Sequence, residues 1–228
     1  MQTEIKDNII NIKNKIKTAC NSIKKDPKQI TLIAVSKRKD IQMIEEAFRN
    51  GVCDFGENYA QELQEKVLGI NLDNLIWHFI GPIQSNKTKI IAKNADWVHT
   101  LSREKIIRKL NSECAQIQKN INACIQVNIS SEESKSGCDP DNLIEIAKLI
   151  KSMKNISLKG IMALPKITNN EEEQKKVMEL ILSLSNRLQS YYPDAKCISL
   201  GTTSDFENAI INGSTMIRVG ESIFGRRL

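Results

Sequence analysis

The stretch ITLIAVSKRKDIQMIEEAFRNGVCDF, residues 30–55, carries the pattern that decides the fold. It opens on a short apolar, β-rich run at 30–35 that ends in Ser36-Lys37. A helical spacing of apolar positions follows over 40–50, and a second short run at 54–55 closes the unit. Strand, helix, strand is the signature of a crossover between parallel strands.

The same rhythm continues down the chain. Further strand candidates lie at 77–80, 96–99, 123–128, 158–163, 197–200 and 215–219. Helical stretches at 58–68, 85–93, 103–119, 140–153, 170–190 and 204–212 separate them. Eight strands and seven intervening helices are the count for a (β/α)8 TIM-type barrel, and short apolar runs suit parallel strands buried on both faces. The length of 228 residues sits near the roughly 250 typical of that fold. An open doubly wound sheet is the alternative, but no GxGxxG follows any strand. Upstream, residues 4–24 place Ile5, Ile9, Ile10, Ile12 and Ile16 at helical spacing ahead of Asp26-Pro27. The expected organisation is one domain over 1–228, with a barrel over 30–228 and an extra N-terminal helix, 1–26, packed outside it.

Composition narrows the functions. The chain is 40% hydrophobic and 26% charged, with a formal net charge of +6. Its basic residues are spread along the chain among 27 acids, without an aromatic-plus-basic run, so no nucleic-acid partner is expected. Six cysteines stand far apart with no CxxC, and only two histidines exist, so neither a metal site nor a disulfide framework is expected. The polar, Lys-rich start has no apolar leader core and no run is long enough for a bilayer. A cytoplasmic, reducing environment with no membrane attachment is the expectation.

A barrel carries its reactive groups at the C-terminal ends of its strands. That rule selects Lys37 after the first strand, Asn58 after the second and Asn86 after the third. It selects Gly201-Thr202-Thr203-Ser204-Asp205 after the seventh strand and Arg218-Val219-Gly220-Glu221 at the end of the eighth. Lys37 follows a fully apolar strand. It is either a lysine snorkelling from the core or a partly desolvated amine suited to Schiff-base chemistry. The hydroxyl-rich run at 201–205 suits phosphate held by backbone N–H groups and hydroxyls, and Thr203 or Ser204 also suits an ordinary N-cap. Arg218 is a phosphate-side cation or a salt-bridge residue. Asn58 and Asn86 are ligand contacts or helix caps. His78 and His99 read as satisfied core residues rather than bases, and no Ser-His-Asp, Cys-His or close carboxylate pair stands out.

Seven stretches resemble a known family: IAVSK (33–37), FGENYAQEL (55–63), WHFIGPIQSNK (77–87), QVNISSEESKSG (126–137), KGIMAL (159–164), SLGTTSDFENAIINGSTMIRVG (199–220) and IFGRR (223–227). Together they are similar to the YggS/PROSC family of pyridoxal phosphate homeostasis proteins, whose barrel is like the N-terminal domain of alanine racemase. The resemblance implies pyridoxal 5′-phosphate (PLP) as cofactor, held as an internal aldimine on Lys37. By the same resemblance Thr203, with the backbone of Gly220 and Glu221, holds the phosphate, Arg218 faces the pyridine nitrogen, and Asn58 lies beside the cofactor. Where the family reads Met-Gly-Met-Ser, this chain has Leu200-Gly201-Thr202-Thr203. A threonine therefore takes the serine position, with Ser204 available to share the role.

Three functions fit these residues. The resemblance implies a non-catalytic PLP carrier acting in PLP homeostasis, with no catalytic residues and with apo PLP-dependent enzymes as candidate recipients. A PLP-dependent amino-acid racemase needs a second acid/base opposite the lysine, and the chain has no room for the further domain that supplies it. A Schiff-base aldolase acting on a phosphorylated substrate would use the same lysine and phosphate site. With no exposed apolar stripe in the sequence, a monomer is expected.

Overall fold

The computed structural model describes residues 2–129, 136–166, 168 and 170–225. Eight parallel strands close into a barrel in sequence order, with β8 pairing back onto β1. They are β1 (Thr31–Val35), β2 (Asp54–Glu57), β3 (Ile76–Phe79) and β4 (Trp97–Leu101), followed by β5 (Ile121–Gln126), β6 (Ile156–Met162), β7 (Cys197–Ser199) and β8 (Met216–Val219). The architecture is the (β/α)8 barrel that the strand count predicts. The connecting helices are α2 (Ile41–Arg49), α3 (Ala60–Gly69), α4 (Thr88–Asn94), α5 (Glu104–Gln116), α6 (Leu143–Lys151), α7 (Glu171–Tyr191) and α8 (Phe206–Ile211).

An N-terminal helix, α1 (Gln2–Ser22), precedes the barrel, and a four-residue helix, α9 (Glu221–Phe224), follows β8. In α1 the residues Ile5, Ile9, Ile12 and Ile16 are buried at three- and four-residue spacing, while Ile10 is turned outward. This stripe packs on α2, α8 and α9, and burying each isoleucine stabilises the contact by about 1.5–3 kcal/mol. Asn8 adds a hydrogen bond from Nδ2 to the Ile223 carbonyl at 3.0 Å. Among the described residues no helix is long and apolar enough to cross a membrane.

Strand boundaries differ from the sequence expectation by one or two residues, and β2 differs usefully. It extends through Gly56 and Glu57, whose Cα partners are His78 and Phe79. A glycine and a carboxylate do not advertise a buried strand, and they form one here because Glu57 finds partners far away in sequence. The helix α9 escapes a periodicity reading because it is one turn long. Residues 130–135 of the QVNISSEESKSG stretch and Arg226-Arg227 of IFGRR lie outside the described residues.

Candidate functional site

A cavity of about 780 Å³ opens at the C-terminal end of the strands, within the range of small-molecule sites. Lys37, Asn58, Thr203, Ser204, Arg218, Gly220 and Glu221 all line it. Residues more than 180 positions apart are thus gathered because β8 pairs with β1. Asn86 is exposed in the short turn Ser85–Lys87 and is not in the lining.

One wall comes from β1 and β2. The Lys39 N–H donates to the Ser36 carbonyl at 3.0 Å, closing a turn that carries Lys37 half-buried into the cavity. The next residue, Arg38, has φ of 58°, a left-handed conformation that is uncommon for a residue with a Cβ. Its N–H donates to Glu62 Oε1, and its guanidinium lies 5.9 Å from the Tyr59 ring centroid. Beneath the turn is a buried ionic cluster that the sequence does not advertise. Ser36 Oγ donates to Glu57 Oε1 at 2.6 Å. Lys66 Nζ donates to Glu57 Oε1 (2.7 Å), Glu62 Oε1 (2.7 Å) and the Ser36 carbonyl (2.6 Å). Burial pushes the Glu57 carboxyl above its usual range, while the Lys66 charge and the bonds from Lys66 and Ser36 pull it back. Asn58 follows at the end of β2. Gly81 lets the two loops meet, since a Cβ there would run into the Asn58 carbonyl.

A second wall comes from β7 and β8, and the pairing of β8 with β1 sets it beside the first. Gly201 turns the chain with φ of 96°, and a Cβ there would sit 2.7 Å from that of Ala209. Asp205 Oδ1 accepts from the Thr202 N–H (2.7 Å) and the Thr202 hydroxyl (2.8 Å). The Gly220 N–H donates to Thr203 Oγ1 at 3.3 Å, tying the two ends of this wall together. The helix that follows, α8, has six residues where the sequence suggests nine, so the hydroxyls and loop N–H groups dominate here rather than a long helix dipole.

Arg218 is 5% exposed. Nη1 donates to Ser199 Oγ at 2.6 Å and Nη2 to the Ala163 carbonyl at 3.1 Å. Burial pushes its guanidinium down to about 10, against the pull of Asp205, so it remains a cation at neutral pH. Beyond Ser199 stand His99 and then His78, both fully buried. The expectation of satisfied core histidines holds, but their partners link them to the cavity. No local signal marks this, because the contact joins β4 to β7, strands that are not neighbours in the barrel. Chemically, the cavity lining combines a primary amine, a hydroxyl-bearing loop and a buried cation.

Comparison with known proteins shows the family and the fold. Residues 3–227 match the family model described as alanine racemase, N-terminal domain. The chain is 42% identical to a pyridoxal phosphate homeostasis protein of Haemophilus influenzae, over 98% of this chain and 96% of that one. It superposes on PipY of Synechococcus elongatus, in a structure with PLP bound, with a TM-score of 0.82 and 28% identity, covering 92% of this chain and all of that one. It also superposes on alanine racemase of Clostridium difficile with a TM-score of 0.79, covering 99% of this chain but 60% of that one. At 13% identity that last likeness concerns the fold alone.

Proposed function

Because the chain belongs to the alanine racemase N-terminal domain family, and within it to the pyridoxal phosphate homeostasis proteins, we propose that it binds PLP covalently through Lys37 and holds it without turnover, as part of intracellular PLP homeostasis. The observation that carries this reading is the convergence of Lys37, Thr203 and Arg218 on one cavity of suitable size. Asn58 supports the fit. Its Oδ1 is buried and has no hydrogen-bond partner among the described residues, a state that costs free energy unless a ligand donor meets it.

When bound, PLP supplies an aldehyde that condenses reversibly with a primary amine, and a ring that withdraws electrons. Lys37 offers the amine. Thr203 and Ser204, with the N–H groups at Gly220 and Glu221, hold the phosphate. Arg218 can only donate, so beside the ring nitrogen it would act as a hydrogen-bond donor and would leave no place for a proton there. That weakens the ring as an electron sink and suits storage better than chemistry. The cavity also argues against a two-base reaction. Among the described residues its titratable lining besides Lys37 is Lys39, Arg218 and Glu221. Lys39 Nζ donates to the carbonyls of Phe224 and Gly225, both at 3.2 Å, and Glu221 is exposed at the start of α9.

The same reading extends to a cytoplasmic monomer that gives up PLP to apo PLP-dependent enzymes. Reversible condensation at a half-buried amine in an open cavity supports release. The visible absorption spectrum tests the core of the proposal. The wild-type protein incubated with PLP should show a Schiff-base band that Lys37→Ala lacks, and a colourless wild type overturns the reading. Exchange of an amino acid's α-proton in deuterated water by the loaded protein would overturn the absence of turnover.

A further inference from the structure

Five side chains from five strands form an unbroken hydrogen-bonded column through the barrel. Asp54 Oδ1 lies 2.8 Å from His78 Nε2, and His78 Nδ1 lies 2.9 Å from His99 Nε2. His99 Nδ1 lies 2.8 Å from Ser199 Oγ, which accepts from Arg218 Nη1 at 2.6 Å. The two imidazoles and Ser199 are fully buried. The Asp54 side chain is 22% exposed. Asp54 opens β2 at the N-terminal end of the barrel, whereas Arg218 lines the cavity at the other end.

The two ends give the column a direction. A guanidinium only donates and an ionised carboxylate only accepts, while a neutral imidazole does one of each. With both rings neutral, Arg218 donates to Ser199, and the Ser199 hydroxyl donates to His99 Nδ1. The His99 Nε2–H then donates to His78 Nδ1, and the His78 Nε2–H to Asp54. Burial, His78 and Arg218 all press His99 toward its neutral form. An imidazolium at His78 would add a second buried cation to the column that ends in Arg218.

This direction matters to Arg218. Its terminal nitrogens are held by Ser199 and by the Ala163 carbonyl. The Ser199 hydroxyl is a dependable acceptor only while its own proton points elsewhere. His99 takes that proton because its own sits on Nε2, where His78 receives it, and Asp54 fixes His78 in turn. We propose that Asp54, His78, His99 and Ser199 are positioning residues that act through Arg218 to orient its guanidinium toward the ring nitrogen of PLP. This deepens, and rests on, the PLP-binding reading above.

Because the chain has only two histidines, nitrogen-15 NMR of histidine-labelled protein reports the column without overlap. At both rings the proton is expected on Nε2. His99 protonated on Nδ1 overturns the directed column. PLP titration of Ser199→Ala and Asp54→Asn, with folding checked by circular dichroism, tests the coupling. Ser199→Ala should weaken binding by about tenfold, the loss of one hydrogen bond to a charged group, and shift the Schiff-base band. Asp54→Asn should do both to a smaller extent from the far end of the barrel. If the wild type loads PLP and both variants match it in affinity and band position, the column is only structural and the inference falls alone. If the wild type takes up no PLP, the functional reading falls and the inference with it.

Discussion

The two walls of the cavity are stabilised by different physics. Beneath the Lys37 turn lies a dense ionic cluster of Ser36, Glu57, Lys66 and Glu62, in which one lysine serves two carboxylates. Glu57 is fully buried, and its Oε2 has no hydrogen-bond partner among the described residues. Behind Arg218 lies a column in which each link is hydrogen-bonded and the charged groups stand at the ends. The first arrangement concentrates buried charge and depends on each partner. The second spreads polarity over neutral groups, which a low-dielectric interior tolerates at less cost. The lysine wall should therefore dominate folding energetics, and the arginine wall should chiefly affect the ligand.

The sharpest way to break this contrast is Lys66→Met. Removing the cation leaves Glu57 buried without a counter-charge, and a loss of about 3–5 kcal/mol is expected from urea unfolding. A loss under about 1 kcal/mol would mean the cluster is not the anchor described here. The pH dependence should follow at smaller size. Since the folded value of Glu57 is raised above the ordinary 4.5, its contribution to stability is fullest below that value and is lost as pH rises through the folded one. Unfolding of wild type and Glu57→Gln across that range should show the wild type losing ground to the variant with rising pH, and a constant difference contradicts the shift.

On the other wall, Thr203→Val keeps the shape and removes the hydroxyl. PLP affinity measured by titration should fall about tenfold while the unfolding midpoint holds. Thr203→Ser should bind as the wild type does if the hydroxyl, and not the methyl, makes the contact. The smallest effect expected lies in the Lys37 turn. At the left-handed Arg38, Asn should be tolerated and Val should be less stable than Asn by about 1 kcal/mol. Equal stability of the two would mean the turn relaxes to an ordinary conformation.

The legibility of the site follows the same division. Lys37, the run at 201–205 and Arg218-Val219-Gly220 could be named as candidates because their chemistry is local, and the family resemblance chose between the readings left open for each. Glu57 and Lys66 could not be chosen from the sequence. Lys66 looks like any helix-surface lysine, and its depth follows from packing α3 against β2. The histidines were legible as core residues but not as members of a column.

What the sequence determined by itself was the barrel, because alternation of short apolar runs with helical spacing is a local property repeated often enough to be counted. It also determined which strand ends carry reactive side chains, and the candidates chosen from them, Asn86 apart, are among the residues that line the cavity. What only the tertiary structure decided was how those residues are supported. Closing β8 onto β1 brings Arg218 near Lys37, and crossing the barrel interior joins His99 to Ser199. Buried hydrogen bonds and ion pairs between distant residues depend on three-dimensional distance, for which sequence spacing carries no measure.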